Sequence, residues 1–209
     1  MSFDQEITLY HLDVLKEVGN IGAGHAATAL STLLGKTIDM KVPLVKIVSF
    51  DDMMEMAGGS ENIVVSIFLR IEGEISGSMF FILPLPQAES FIRTMTQDES
   101  FSFDTPPYSE IGLSAMQEMG NILSGTYLSS LSDFTQLNLY PTVPALSVDM
   151  VGAIISYGLV ELSQVSDQAI VIDTALFGEG HEGEGVTGQF FLLPDPDSFH
   201  VLFKSLGVE

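Results

Sequence analysis

The chain has 209 residues, which is enough for one ordinary domain or for two halves that share a core. A hydrophobic fraction of 46% excludes a disordered chain. Seven Lys and Arg residues against 28 Asp and Glu residues give a formal net charge of −21. This balance argues against nucleic acid or an anionic membrane as a partner, because few cations are available to neutralise phosphates. A partner is expected to be cationic where it touches this chain.

Cysteine is absent from the sequence, which excludes disulfides, thiolate zinc sites and cysteine nucleophiles. The first segment, MSFDQEITLYHLDVLKE (1–17), carries early acids and no basic stretch before an apolar core, unlike a signal peptide. No apolar run approaches the ~18 residues that span a bilayer. We therefore expect a cytoplasmic location.

The first half predicts a helix followed by strands. Apolar residues recur at three- and four-residue spacing from Leu9 to Leu33, and Gly35 is a natural helix stop. Segments rich in Val and Ile then predict strands within 42–50 and 62–84. A short helix is expected to close the half.

The second half predicts the same order. After a linker at 97–108, which contains two consecutive prolines, a helix is predicted from about Ser109 to Leu131. Segments 143–162 and 168–177 are again rich in Val and Ile and predict strands. Consecutive strands without long helices between them favour antiparallel pairing.

The two halves are related by an internal repeat. LDVLKEVGNIGAG (12–24) aligns with LSAMQEMGNILSG (113–125) at an offset of 101. The ends of the halves, 80–91 and 190–199, also agree, and the Gly- and acid-rich segment 177–186 accommodates the extra residues between them.

We therefore expect an α+β fold with two halves about a pseudo-twofold axis. The chain, 1–209, is interpreted as a single domain made of two repeats, about 8–96 and 109–203.

Each predicted helix carries three polar residues on one face, away from its leucine stripe, since residues advance by about 100°. They are Asp13, Glu17 and Asn20 in the first helix, and Ser114, Glu118 and Asn121 in the second. A solvated face would explain their polarity but would tolerate other polar residues. Glu and Asn recur at matched positions while neighbours such as Lys16 and Gln117 differ, which indicates a chemical requirement.

The glycines of GNIGAG (19–24) could suggest a phosphate-binding loop. However, no strand precedes them, and no lysine or Ser/Thr pair follows at nucleotide-loop spacing. Glycine within a helix costs about 1 kcal/mol relative to alanine, so a packing reason is expected. We expect the glycines to let another backbone approach closely. The positions are Gly19, Gly22, Gly24, Gly120 and Gly125.

Other catalytic groups are scarce. The four histidines are scattered along the sequence: His11, His25, His181 and His200. His181 with Glu182 and Glu184 could form a metal loop, although the glycine content favours a mobile acidic loop. What remains is a carboxamide one turn from a carboxylate. An amide can hold a water in line with an electrophilic phosphorus, and a carboxylate can pair with a lysine of the partner.

The polar residues resemble the motif of the CheC/CheX/FliY family of bacterial chemotaxis phosphatases, in which Asp or Ser, Glu, Asn and a distant Pro follow at fixed spacing. The motif fits twice, as Asp13, Glu17, Asn20 and Pro43 and as Ser114, Glu118, Asn121 and Pro144. The segment EVGNIGAGHAATALSTLLG (17–35) is similar to the first CheC helix. With two motifs and little sequence outside the repeats, the chain resembles the CheC branch.

The resemblance implies a fold with two long antiparallel helices beside an antiparallel sheet. It also implies dephosphorylation of phosphorylated CheY, the chemotaxis response regulator. Asn20 and Asn121 would position the water, and Glu17 and Glu118 would contact the regulator's lysine. The remaining motif residues, Asp13, Ser114, Pro43 and Pro144, would support the site.

The resemblance implies no cofactor held by the chain, with Mg²⁺ on the regulator, and a second partner, the receptor deamidase CheD. Two alternatives stay open. One is a non-catalytic adaptor that binds CheY and CheD, which would not need both amides. The other is a metal-dependent hydrolase that uses His181 and the acidic loop.

Overall fold

The computed structural model describes residues 7–104, 106–159, 168–178 and 186–207. Within these ranges both halves fold as helix, strand, strand, helix, strand, strand, helix. The first half consists of α1 (Leu9–Leu34), β1 (Ile38–Lys41), β2 (Val45–Ser49), α2 (Phe50–Met56), β3 (Ile63–Gly73), β4 (Gly77–Pro84) and α3 (Leu85–Thr96). The second half consists of α4 (Glu110–Thr135), β5 (Leu139–Pro141), β6 (Ala145–Met150), α5 (Val151–Leu159), β7 (Gln168–Gly178), β8 (Val186–Pro194) and α6 (Pro196–Ser205).

The described strands form one eight-stranded sheet in which every pairing is antiparallel. β4 and β8 lie side by side at its centre. β7 pairs with β1 and β2 of the first half, and β3 pairs with β5 and β6 of the second. The repeats therefore exchange strands, and each half completes the sheet of the other.

Helices cover both faces of the sheet. On one face α1 and α4 pack antiparallel to each other, and Leu15 and Met119 are fully buried with Ile67 of β3. On the other face α2 and α5 cover the central strands and bury Met53 and Ile155. The expected α+β architecture is confirmed. No described helix combines the length and the apolar composition that crossing a bilayer would require.

A reciprocal pair of hydrogen bonds closes the start of α1. The Thr8 backbone N–H donates to His11 Nδ1 (3.0 Å), and the His11 backbone N–H donates to Thr8 Oγ1 (3.4 Å). His11 is buried, and burial lowers the pKa of its imidazole. This histidine is therefore explained as a helix cap.

The predicted strand at 143–162 is wrong over part of its length. β6 ends at Met150, and α5 begins at the next residue, where the backbone N–H groups of Val151 and Gly152 donate to a turn of the first half. Val151 and Ile154 are buried at helical spacing, a pattern that the β-branched composition obscured. The predicted strand 42–50 likewise ends one residue early, at Ser49, whose Oγ accepts from the Asp52 backbone N–H and starts α2.

The two long helices end at matched positions of the repeat, and these positions carry different residues. α1 ends at Gly35 as predicted, in the left-handed conformation with φ 63°. α4 extends beyond the expected Leu131 to Thr135, and the matched residue Gln136 adopts φ 58°. A side chain in this region is strained, whereas glycine is not.

The substitution Gln136→Gly is expected to raise the free energy of unfolding by about 0.5–1 kcal/mol, because it relieves that strain at an exposed helix end. The converse change at the matched position, Gly35→Gln, should lower it by a similar amount. Urea unfolding of the two variants checks this. A loss of stability in Gln136→Gly would contradict the strain assignment.

Candidate functional site

The helix α4 presents Glu118 and Asn121 one turn apart on its exposed face, with Ser114 exposed one turn earlier. Asn121 Nδ2 donates to Glu118 Oε2 over 3.4 Å. Within the described ranges, this long contact is the single hydrogen bond of the Asn121 carboxamide. Its carbonyl oxygen and second N–H are therefore available to a ligand.

The first helix, α1, places the matched residues differently. Asp13 and Glu17 are exposed, but Asn20 is half-buried. Asn20 Nδ2 donates to the carbonyls of Lys16 (3.0 Å) and Val42 (3.3 Å), and Asn20 Oδ1 accepts from the Val42 backbone N–H (3.0 Å). Both N–H groups and one lone pair of this carboxamide are thus already engaged.

The Asn20 bonds hold the connection between β1 and β2 against α1. Val42 is only 3% exposed and lies between these two strands, so its backbone polar groups need a partner inside the protein. Asn20 supplies that partner across 22 positions of sequence. This structural role was not visible in the sequence.

In the second half a different residue holds the equivalent connection, between β5 and β6. Gln117 Nε2 donates to the Pro144 carbonyl over 3.0 Å. Gln117 matches Lys16 in the repeat. The residue that matches Val42 is Val143, which is 84% exposed, so its backbone groups can bond to water and do not need Asn121.

The two motif prolines lie next to these anchored connections. Pro43 follows Val42 and is exposed, whereas Pro144 is buried and its own carbonyl accepts from Gln117. The structure thus places Pro43 and Pro144 beside the two helix faces. The acidic segment 177–186, with His181, lies largely outside the described residues.

The glycines around the motifs divide into two groups. Gly22 faces α4, and a Cβ there would lie 3.1 Å from the Tyr127 Cα and 3.3 Å from the Thr126 carbonyl oxygen. This is the close backbone approach that the sequence predicted. The prediction is wrong for Gly24 and Gly125, because a Cβ at either position would meet no heavy atom within 4 Å.

The remaining two glycines meet side chains and not backbone. A Cβ at Gly19 would lie 3.3 Å from a methyl group of Val42, and one at Gly120 would lie 2.7 Å from Ile67. Both contacts let the helices sit close to the sheet. The packing reason expected for these glycines therefore exists, but it is not helix-to-helix contact.

The electrostatics of the exposed faces restrict what they can bind. Glu17, Glu118 and Asp13 are exposed carboxylates in a chain of net charge −21. A doubly charged phosphoryl group would be repelled unless a cation lies between it and these side chains. A substrate for this face must bring its own positive charge.

Comparison with known proteins decides the family. A family model described as the CheC-like family matches residues 11–47 and 111–148, which contain both motifs. The CheY-P phosphatase CheC of Bacillus subtilis (strain 168) is 50% identical over 207 residues, covering 99% of both chains. The chain belongs to the CheC-like family.

Two FliY proteins are also similar to this CheC-like chain. The flagellar motor switch phosphatase FliY of Bacillus subtilis is 31% identical over 120 residues, covering 57% of this chain and 31% of FliY. The crystal structure of Thermotoga maritima FliY covers 97% of this chain and 98% of that chain, with a TM-score of 0.72 at 20% identity. The structural likeness shows that the fold is shared.

The two asparagines should differ in their contribution to stability. Asn20→Ala removes the partners of the buried Val42 backbone groups and is expected to lower the free energy of unfolding by about 1–3 kcal/mol. Asn121→Ala removes one long, exposed bond and should change it by no more than about 0.5 kcal/mol. Urea unfolding of the two single variants measures both, and equal costs would contradict the anchoring role of Asn20.

Proposed function

We propose that this chain hydrolyses the acyl phosphate of phosphorylated CheY. The Bacillus subtilis relative named as a CheY-P phosphatase is similar to the chain along almost its whole length. The observation that carries the proposal is the exposed Asn121 carboxamide beside Glu118, a pair that matches Asn20 and Glu17 in the other repeat.

The role proposed for Asn121, and for Asn20 by the repeat, is to orient the attacking water. The carboxamide oxygen accepts from one O–H of the water and so directs the water's lone pair toward phosphorus. The water oxygen then bonds to phosphorus as the bond from phosphorus to the aspartyl oxygen breaks. The products are inorganic phosphate and the regulator's free aspartate, with one proton released. The chain contributes geometry to this step and forms no covalent bond.

The role proposed for Glu118 and Glu17 is to pair with a lysine of the regulator. An exposed carboxylate one turn from the amide can form such a charge-assisted bond, which fixes the regulator's position relative to the water. The lysine then lies between the carboxylate and the phosphoryl group and removes the repulsion between them. The divalent cation, Mg²⁺, belongs to the regulator's phosphorylation site and arrives with the substrate.

The remaining motif residues have supporting roles in this proposal. Asp13 and Ser114 extend the polar face by one turn toward the helix start, where a partner would meet them next. Pro43 and Pro144 shape the connections beside each face. Binding of CheD and a cytoplasmic location complete the proposal, and both rest on the family resemblance.

The two sites are proposed to share the work unequally. The Asn121 carboxamide can accept from a water without giving up any bond to the backbone. The Asn20 carboxamide can do so only with its one remaining lone pair, or after releasing Val42. The α4 site is therefore the more active of the two in this proposal.

The double variant Asn20→Ala/Asn121→Ala tests the proposal. Phosphate release from phosphorylated CheY should fall to the regulator's own rate, because neither site can orient a water. A control variant, Thr28→Ala/Ser129→Ala, alters exposed residues on the same two helices and should release phosphate at the wild-type rate. Binding to phosphorylated CheY is measured in parallel by titration.

Two results would contradict the proposed phosphatase. Undiminished phosphate release by the double variant would reject the amide mechanism. Tight binding of phosphorylated CheY by the wild type, without any acceleration of phosphate release, would instead establish the adaptor.

A further inference from the structure

Two glycines in the middle of the long helices have no structural explanation. Gly24 and Gly125 lie within helices of 26 residues, and a Cβ at either would meet no heavy atom within 4 Å. A glycine in a helix interior destabilises it by roughly 1 kcal/mol relative to alanine. In the described helices, Gly19, Gly22 and Gly120 meet neighbours that exclude or crowd a Cβ, so only these two are free of a packing constraint among the motif glycines.

The repeat keeps both unexplained glycines at the same place. Gly24 follows Asn20 by four positions, and Gly125 follows Asn121 by four positions. Residues four apart lie one above the other on the same face of a helix. Each glycine therefore lies one turn beyond a carboxamide, on the side of the helix from which a substrate must approach. Gly24 is exposed and Gly125 is half-buried.

A side chain at these positions would lie over the carboxamide. In an α-helix the Cα–Cβ bond tilts toward the N-terminus, so a side chain covers the surface of the turn before its own Cα. For residue 125 that turn is the one that carries Asn121. A long side chain there would cover the carbonyl oxygen that the reaction requires.

We propose that Gly24 and Gly125 determine access to the carboxamides, by leaving the approach of the partner's phosphoryl group clear. This inference rests on the proposed phosphatase function. The two glycines then determine whether a protein-bound acyl phosphate can reach the amide, although they contribute no chemical group to the reaction. Their cost to helix stability is then a consequence of substrate access.

The double variant Gly24→Gln/Gly125→Gln tests the inference, because stability and activity should move in opposite directions. Glutamine favours the helix and meets no neighbour, so the melting temperature should rise, by about 2–4 °C for each substitution. The same side chains cover the amides, so kcat/KM for phosphorylated CheY should fall at least tenfold, as an order-of-magnitude expectation for displaced reacting groups.

The matched control is Thr32→Gln/Asp133→Gln, which introduces the same side chain two turns beyond the glycines on the same two helices, at exposed positions. This control should keep kcat/KM within about twofold of wild type, since its side chains lie over Thr28 and Ser129, and over neither the glycines nor the carboxamides.

Three results would overturn the inference while leaving the phosphatase function intact. They are wild-type kcat/KM in the glycine variant, an equal loss in the control, or a lowered melting temperature in the glycine variant, which would show that the positions are not open. Absence of acceleration by the wild-type chain would reject the proposed function itself, and the inference with it.

Discussion

A side-chain carboxamide has two N–H donors and two carbonyl lone pairs, and each hydrogen bond to the backbone removes one of them from use by a ligand. This limit separates the two halves of the chain. Three of the four hydrogen-bonding groups of the Asn20 carboxamide are bonded to the backbone of Lys16 and Val42. The Asn121 carboxamide makes a single long bond, to Glu118. The same residue at matched positions of a repeat therefore has an anchoring role in one helix and an open amide in the other.

The exchange of strands between the halves explains why such anchoring is needed. β1 and β2 lie at one edge of the sheet and pair with β7 of the other half, and the connection between them passes beside α1. β5 and β6 lie in the same way beside α4. Val42 is buried in the first connection and takes its partner from Asn20, whereas the matched Val143 is 84% exposed and needs no such partner. The fold thus decides which amide stays free.

Much of this architecture follows from sequence pattern alone. The spacing of apolar residues predicted the long helices, and the offset of 101 predicted their matched polar faces. Gly35 predicted the end of α1, since helix periodicity and stop residues are local signals. The helix α5 was missed because Val and Ile are abundant in it and a short apolar run fits a strand as well as a helix. Ser49, three residues before Asp52, was a local signal for α2 that could have been used.

The site itself was only partly predictable. The exposure of Glu118 and Asn121 followed from the helix period, but the bond from Asn20 to Val42 spans 22 positions and depends on how the strands pair. The openness of Gly24 and Gly125 was also invisible, because the cost of a helical glycine implies a reason without saying whether that reason is packing or access.

In the proposed mechanism the free amide of α4 carries most of the turnover. Phosphate release from phosphorylated CheY by the two single variants, Asn20→Ala and Asn121→Ala, tests this most directly, at a temperature where both remain folded. Phosphate release with Asn121→Ala is expected to fall close to the regulator's own rate, while Asn20→Ala is expected to keep most of the acceleration. Equal losses, or the greater loss in Asn20→Ala, would contradict it.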